Sequence, residues 1–534
     1  MIALSGLLIA GSCCREEKKN ITATPRLIYN CDGTDLTGNY MFKKRPLSLA
    51  DVHAYVDAYA QTPITTFMMC SGTNNLNYRS AYTRVFGEDP QGQDPGTYNI
   101  TDIERCYRNF LNVEREGADV IEAVLQRANE HQLETFISYR MNDVHFNSLD
   151  ASPLGYCDFW KDHPEYWIHE KIGWNTEGGF DFAYPEVRAF KADIIAEQLD
   201  KYGHLIDGFD LDFMRMPVYF KTSEGAKNAP LMTELIRTIK QKIDETSKRT
   251  GRNILLSVKV WLDVDICYQM GLDVKAWVKA GLVDMVTVGG CWQGHPAVPV
   301  AKFRSDLDNA AVLICAEIEV GGYVPRESFS LGQRCGMAAH AYAQGADGIY
   351  LFNHFLEDDN DNRVASPTNS HSIRSNSTLP LYYEIGSLEQ LRRRNKIFAL
   401  DDGGAKTYVW GSVTPLPLTV TAMRQPAVEL YVADDVQNDR PQEAILFLRA
   451  DRPASLSISV NQTQVDEQKP EYVELFDRGN KLQGTDTVYA YRVPVAALKQ
   501  GNNQISIISS SGEVKIKRLE MAIKYGDVDE CGYF

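Results

Sequence analysis

Two aspartates lie two residues apart in a strand-like run, 207–217, which reads Asp-Gly-Phe-Asp-Leu-Asp-Phe-Met-Arg-Met-Pro. Asp210 and Asp212 share a strand phase, so both side chains point to the same face of a β-strand. Carboxylates buried in this way are costly unless they are paired, hydrogen-bonded or hydrated. One interpretation is a structural pair tied to Arg215. The favoured interpretation is a catalytic carboxylate with a supporting neighbour.

A second apolar run, 312–322, carries two further acids in one phase, Glu317 and Glu319, of which Glu319 lies nearer the C-terminal end. Two carboxyl groups on different strands suit glycoside hydrolysis. One protonates the leaving oxygen, and the other is the nucleophile or activates water. We therefore predict Asp212 as nucleophile or base and Glu319 as acid, with Glu317 as the alternative acid. Acids that only form salt bridges with neighbouring strands are the structural alternative.

Polar residues near the ends of other strand-like runs are candidates for substrate binding. Ser138, Arg140 and Asn142 are in phase on the third run, and His145 follows it. Such side chains bind sugar hydroxyls, whereas Arg140 also suits the role of counter-ion to the aspartates. Lys259 on the fifth run is expected to pair with a carboxylate. The predicted substrate-binding residues are Asp32, Arg140, Asn142, His145, Asp210, Arg215, Lys259, Trp292, Glu317 and Asn353.

These residues require a framework that brings many strand ends together. Eight strand-like runs span 27–31, 65–70, 135–141, 208–213, 254–261, 285–288, 312–320 and 348–352. Helical patterns, with apolar residues three and four apart, span 49–60, 119–131, 186–202, 231–250, 274–280 and 332–344. This alternation predicts an α/β fold, a (β/α)8 TIM barrel over residues 26–400, with the active site at the C-terminal ends of the strands. A doubly wound sheet is the alternative, but its glycine-rich phosphate turn is missing from the first unit.

The pattern changes after a turn-like junction, Asp-Asp-Gly-Gly at 401–404. Short alternating runs follow at 427–432, 444–449, 455–460, 487–493, 504–508 and 514–525, separated by turn residues. They predict an all-β sandwich, an accessory domain over residues 401–534.

Composition excludes several classes of protein. The chain has 534 residues with 55 Lys and Arg against 71 Asp and Glu, a net charge of −16, which argues against nucleic-acid binding. Hydrophobic residues make up 44% and charged residues 24%, as in ordinary globular proteins rather than disordered ones. None of the 11 cysteines lies in a zinc-type spacing, so we expect buried thiols, no metal and no other cofactor.

The N-terminus predicts export. Its apolar stretch is too short to span a bilayer and ends in Ala-Gly-Ser at 10–12, directly before Cys13. This arrangement resembles a bacterial lipoprotein signal, in which the cysteine carries the lipid, and a polar tether follows up to about residue 25. We therefore expect a protein lipid-anchored in the cell envelope, periplasmic or on the outer surface. A plain cleaved signal is the alternative.

Four segments in a fixed order carry a family resemblance: 140–145 (Arg-Met-Asn-Asp-Val-His), 163–167 (His-Pro-Glu-Tyr-Trp), 182–188 (Phe-Ala-Tyr-Pro-Glu-Val-Arg) and 207–217. The series resembles the glycosyl hydrolase-like ten family, barrels of bacterial surface lipoproteins. The resemblance implies a TIM barrel and glycosidase activity, without a substrate. The 207–212 segment is also similar to the Asp-Gly-x-Asp-x-Asp-x-Glu signature of family eighteen chitinases. Met214 replaces its final acid, so that proton donor is absent.

The expected function is therefore an exported glycoside hydrolase that acts on a complex poly- or oligosaccharide. A catalytically inactive glycan-binding surface lipoprotein is the main alternative, and Met214 favours it. A different barrel enzyme, with Lys259 forming a Schiff base, is the third interpretation.

Overall fold

The structure is a computed structural model. It describes residues 25–38, 46–93, 101–173, 175–290, 294–319, 329–356, 381–401, 414–467 and 486–526. Trp292 and Cys13 lie outside these ranges. No helix within them combines the length and apolarity that crossing a bilayer requires. All seven cysteines that they contain are buried free thiols, as predicted.

The N-terminal domain is a TIM barrel, which confirms the predicted fold. Eight parallel strands close on themselves in chain order, β1 pairing with both β2 and β8. The strands are β1 (Arg26–Cys31), β2 (Thr66–Cys70), β3 (Glu134–Arg140), β4 (Gly208–Asp212), β5 (Leu255–Val260), β6 (Met285–Val288), β7 (Leu313–Glu319) and β8 (Gly348–Phe352). Each is buried almost throughout, because helices cover its outer face and other strands face it inside the barrel.

Helices connect the strands and form the outer layer. Those of six residues or more in the described ranges are α1 (Leu49–Ala60), α2 (Asp102–Arg115), α3 (Val120–Glu130), α4 (Pro185–Tyr202), α5 (Gly225–Thr250), α6 (Val264–Gln269), α7 (Val274–Lys279), α8 (Val300–Leu307) and α9 (Leu331–Ala343). Single helical turns lie at Thr34–Thr37, Asp158–Asp162, Pro164–Tyr166, Thr176–Gly178, Leu388–Leu391, Val436–Asp439 and Val495–Ala497.

The barrel interior holds an ion pair at its N-terminal end, an apolar cluster in the middle and charged side chains at its C-terminal end. At the N-terminal end Arg26 donates to both carboxylate oxygens of Glu134, at 2.9 and 3.0 Å, and Thr66 donates to the same group. Above this ion pair lies an apolar layer that is separate from the main core: Ile28, Met68, Phe136, Met285, Cys315, Tyr350 and Phe352. The C-terminal ends of β3, β4, β5 and β7 carry charged side chains, so the polar end of the barrel is the one where TIM-barrel active sites lie.

The C-terminal domain is an antiparallel β-structure, as predicted. Its strands are β9 (Lys396–Asp401), β10 (Leu418–Val420), β11 (Ala427–Val432), β12 (Glu443–Ala450), β13 (Leu456–Val460), β14 (Thr463–Glu467), β15 (Thr487–Arg492), β16 (Gly501–Ser509) and β17 (Val514–Lys524). The strand order is β10-β17-β12-β15-β14-β13-β16-β11, and β9 pairs with β17. Since β9 begins at Lys396, the boundary expected near residue 400 falls inside this strand.

Helix α9 of the barrel packs directly on β9 of the sandwich. Gly336 makes this approach possible, because a Cβ atom there would lie 2.0 Å from the carbonyl oxygen of Ile397. Gln333 on the same helix donates a hydrogen bond of 2.7 Å to Glu520 on β17. The two domains therefore share a close, partly polar contact.

Candidate active site

Three charged side chains lie side by side at the C-terminal ends of neighbouring strands. The strand register pairs Arg140 on β3 with Asp212 on β4, and Asp212 with Lys259 on β5. All three are nearly inaccessible, at 1 to 4% exposure. Asp212 thus lies between two cations, and its Oδ1 accepts a hydrogen bond of 2.8 Å from the backbone N–H of Met214.

Asp210 lies one inward position below Asp212. Ser138 on β3 and Ser257 on β5 donate to its two carboxylate oxygens at 2.8 and 2.7 Å. Burial, together with the negative charge of Asp212, raises the pKa of Asp210 to about 6, although the two serines and Lys259 oppose the rise. Asp210 is held rigidly beneath Asp212 and is fully enclosed, so it suits support better than contact with a substrate.

Lys259 joins the acids of β4 and β7. Its ammonium group forms an ion pair with Glu317, and both side chains are almost completely buried. Burial alone would lower the pKa of Lys259, but Glu317, Asp212 and Glu319 outweigh it and raise the pKa. The predicted acids of the two strands therefore meet around one lysine.

The two acids of β7 have different surroundings. Glu317 is 1% exposed and packs against Gly289, where a Cβ atom would lie 2.0 Å from its Oε2. Burial raises the pKa of Glu317, while the ammonium of Lys259 opposes the rise. Glu319 ends the strand and is 6% exposed. Because Glu317 is committed to Lys259, Glu319 is the better placed of the two to meet a substrate.

A second charged cluster lies beside the first. Arg140 Nη1 donates to Asp143 at 2.9 Å, and the other oxygen of Asp143 lies 2.6 Å from Nδ1 of His145. His145 Nε2 in turn lies 3.3 Å from Arg215 Nη2. Burial would raise the pKa of Asp143, but His145, Arg140 and Arg215 together hold it well below its usual range. Burial lowers the pKa of His145, although the carboxylate of Asp143 opposes the decrease.

Asp32 and Asn353 form a pair across the junction of β1 and β8. Asn353 Nδ2 donates to Asp32 Oδ2, and Asn353 Oδ1 accepts from the backbone N–H of Asp32, both at 3.0 Å. Asn353 has a φ of 55°, in the left-handed region that asparagine tolerates better than most residues. The pair fixes the Asp32 carboxylate close to Arg140, 3.8 Å from its Nη2.

Asn142 is placed differently from its predicted neighbours. Its amide donates to the carbonyl oxygens of Phe180 and Val218 and accepts from the backbone N–H of Phe180. The side chain is fully buried and is engaged with backbone on both sides. It ties together the loops that follow β3 and β4, so we assign it a positioning role.

Three residues of this site were not among the predicted ones. Asp143 connects Arg140 to His145. Tyr350 on β8 is fully buried, interacts electrostatically with Asp210, Asp212 and Glu317, and has a hydroxyl without a hydrogen-bond partner among the described residues. The Phe352 ring centroid lies 4.7 Å from Lys259 Nζ and 5.4 Å from Arg215 Cζ, within the range of cation–π contacts. A signal existed in each case: Asp143 directly follows a strand that ends in the site, and Tyr350 and Phe352 share one strand phase.

No family model and no curated protein matches the chain, so the resemblance to the glycosyl hydrolase-like ten family is not confirmed. Solved structures give distant similarities. An endo-β-1,4-mannanase from Thermotoga petrophila is 10% identical, with a TM-score of 0.44, over 93% of this chain and 97% of that one. An α-L-fucosidase from Paenibacillus thiaminolyticus is 14% identical, with a TM-score of 0.36, over 92% and 97%. The PgaB glycoside hydrolase domain from Bordetella bronchiseptica is 7% identical, with a TM-score of 0.40, over 68% and 99%. All three neighbours are glycosidases by name, but similarity of this degree does not indicate which reaction this chain catalyses.

Proposed function

We propose that the chain is a glycoside hydrolase that cleaves a complex poly- or oligosaccharide with Asp212 as nucleophile or base and Glu319 as acid. The observation that carries this proposal is the meeting of acids from β4 and β7 around Lys259 at the C-terminal end of a closed barrel. Glycoside hydrolysis needs two carboxyl groups, one on each side of the scissile bond.

The surroundings of the two acids support different roles. Arg140 and Lys259 flank Asp212 in register, so a nucleophile or base at this position has a cation on each side. Of the two acids of β7, Glu317 is paired with Lys259 and Glu319 is the more exposed. We therefore assign proton donation to the leaving oxygen to Glu319, while Glu317 stays paired with Lys259.

The ion pair argues against Schiff-base chemistry at Lys259. A nucleophilic lysine must lose its proton, and enzymes achieve this by lowering its pKa. Here Glu317 and its neighbours raise the pKa of Lys259 instead. We therefore assign Lys259 to electrostatic support of the acids.

The test is a hydrolysis screen over plant, algal and host glycans with the wild type, Asp212→Asn and Glu319→Gln. Glu234→Gln on α5 is a matched control, because its side chain is 71% exposed on the outer layer of helices. We expect sugar release by the wild type and the control, and a loss of about 100-fold or more in both site variants. Binding of a glycan without cleavage by any form would instead favour the catalytically inactive glycan-binding protein.

We also propose that the protein is exported and held in the cell envelope by a lipid on Cys13, following its lipoprotein-like signal. Metabolic labelling with an alkyne fatty acid tests this. Label is expected on the wild type and absent from Cys13→Ser. Equal labelling of both forms would contradict the proposal.

A further inference from the structure

One edge of a buried arginine in the site lacks a hydrogen-bond partner among the described residues. The Arg140 side chain is 4% exposed, and within this part of the chain it donates a hydrogen bond only through Nη1, to Asp143. Nε and Nη2, which share one edge of the planar guanidinium group, have no hydrogen-bond partner among the described residues. Buried donors left unpaired cost free energy, and this edge suits two acceptor oxygens held side by side. It is therefore prepared for a ligand with two neighbouring acceptors.

The carboxylate of Asp32 lies beside this edge but is too far away to accept a hydrogen bond from it. Asp32 Oδ2 lies 3.8 Å from Arg140 Nη2, beyond hydrogen-bond distance. Asn353 holds the carboxylate there through its own 3.0 Å hydrogen bond to Oδ2. A ligand group at this place meets donors from Arg140 and an acceptor from Asp32 together.

This combination distinguishes hydroxyl groups from carboxylates. A hydroxyl both accepts and donates, so it can accept from Arg140 and donate to Asp32. A ligand carboxylate only accepts, and Asp32 would repel it. Arg140 already lies 2.9 Å from Asp143 and 3.8 Å from Asp32, and it is in register with Asp212 on the next strand. An anionic ligand would add a fourth negative group around one guanidinium.

We propose that Arg140 and Asp32 form a subsite for two adjacent hydroxyl groups of a neutral sugar, and that the site selects neutral glycosides over uronic acids. The inference deepens the proposed function, because it concerns the same barrel mouth and names the substrate class. Arg140 donates from Nε and Nη2 to the two hydroxyl oxygens, and one of these hydroxyls donates to Asp32.

The test measures binding without turnover, in a Glu319→Gln background. Ligand-observed NMR titrations use matched pairs of probes: the methyl glycosides of glucose, galactose and mannose, each beside its uronic acid. We expect at least one neutral glycoside to bind about tenfold or more tightly than its uronate, because a hydrogen bond to a charged group is lost and a repulsion is gained. Tighter binding of a uronate, or no binding of any neutral probe up to its solubility limit, would overturn the proposal.

Two variants assign the selectivity to these residues. Arg140→Lys keeps the charge and removes the donor edge, so neutral binding should weaken about tenfold or more. Asp32→Asn should weaken neutral binding and reduce the discrimination against uronates. Arg140→Lys alone decides the matter if Asp32→Asn does not fold, and unchanged neutral binding by a folded Arg140→Lys contradicts the subsite.

The outcome is separable from that of the proposed function. Selective binding of neutral sugars by a protein that cleaves no glycan would leave the subsite intact and contradict the hydrolase. Cleavage of a uronate polymer at the barrel mouth would support the hydrolase and contradict the selectivity.

Discussion

Replacing Lys259 by Met should destabilise the barrel strongly. The ion pair of Lys259 with Glu317 is almost wholly buried, with side-chain exposures of 3% and 0%. Met fills much of the same volume but leaves the Glu317 carboxylate without its counter-ion. Removing one partner of a buried pair costs about 3–5 kcal/mol, so we expect a loss of that order in the free energy of unfolding.

The double variant Lys259→Met with Glu317→Gln should recover most of this loss, because it leaves no buried charge unpaired. The pH dependence gives a second check. Burial raises the pKa of Glu317 in the folded state. The neutral carboxyl group therefore contributes stability below the pKa of the unfolded chain, and this contribution is lost as the pH rises through the pKa of the folded protein. The cost of Lys259→Met should therefore be largest at high pH and shrink on acidification.

Urea unfolding followed by tryptophan fluorescence is the assay, because six of the seven tryptophans precede residue 400 and report on the barrel. Lys275→Met is the matched control. Its side chain is 49% exposed and pairs with Asp265 at 3.4 Å on the surface, where an ion pair contributes about 1 kcal/mol or less. The reasoning is refuted if Lys259→Met costs no more than Lys275→Met, or if the double variant is no more stable than Lys259→Met.

Three further predictions concern stability. Burial and Asp212 raise the pKa of Asp210 to about 6, so the stability that its neutral form contributes is lost as the pH rises through that value. At pH values above the folded pKa, Asp210→Asn should therefore have a free energy of unfolding about 3 kcal/mol larger than the wild type in urea titrations. Gly336→Ala should lower the free energy of unfolding by about 1–3 kcal/mol, measured by thermal unfolding, because the added Cβ would meet a backbone oxygen. Gly526→Ala is the control and should change stability little, because the space around Gly526 is open. Burial lowers the pKa of His295 and His340 to about 4. The stability that their neutral forms contribute is present above the unfolded pKa and is lost as the pH falls towards 4. Replacing both histidines with Gln should therefore flatten the acid side of the profile of Tm against pH.

The barrel was predictable because its strands are nearly continuous apolar runs. All eight predicted strands lie within two residues of the observed bounds, and the ones at 285–288 and 348–352 match them. Polar residues in phase within such runs point into the barrel, and Asp210, Asp212, Glu317 and Lys259 are indeed buried there, whereas their roles stay predictions. The hydrophobic pattern of each strand lies within its own few residues, so the sequence of that segment is enough to predict it.

Other elements depend on contacts that a local pattern does not contain. Helix α2, Asp102–Arg115, was missed because it is mostly polar, although Thr101 and Glu104 form a capping box at its start. Strand β9, Lys396–Asp401, is not predicted by the sequence pattern, and its partner β17 lies more than a hundred residues away. Helix α5 begins at Gly225, six residues before its predicted start, since Pro230 is accommodated near the N-terminal end.

The candidate site shows the same limit. The phase argument extended β3 to Asn142, but the strand ends at Arg140 and the alternation ends with it. Asn142 consequently turns towards the loop backbone. The choice between Glu317 and Glu319 was open in the sequence because both share one phase. The two acids differ because Lys259, on another strand, pairs with Glu317.

The most direct test of the central claim compares leaving groups. Aryl glycosides with a good leaving group need little help from an acid, whereas alkyl glycosides need proton donation to the departing oxygen. The account predicts that Glu319→Gln loses far more of its kcat/KM on alkyl than on activated aryl glycosides, while Asp212→Asn loses activity on both. Equal losses by Glu319→Gln on the two kinds of substrate, or full activity of Asp212→Asn, would contradict the assigned roles.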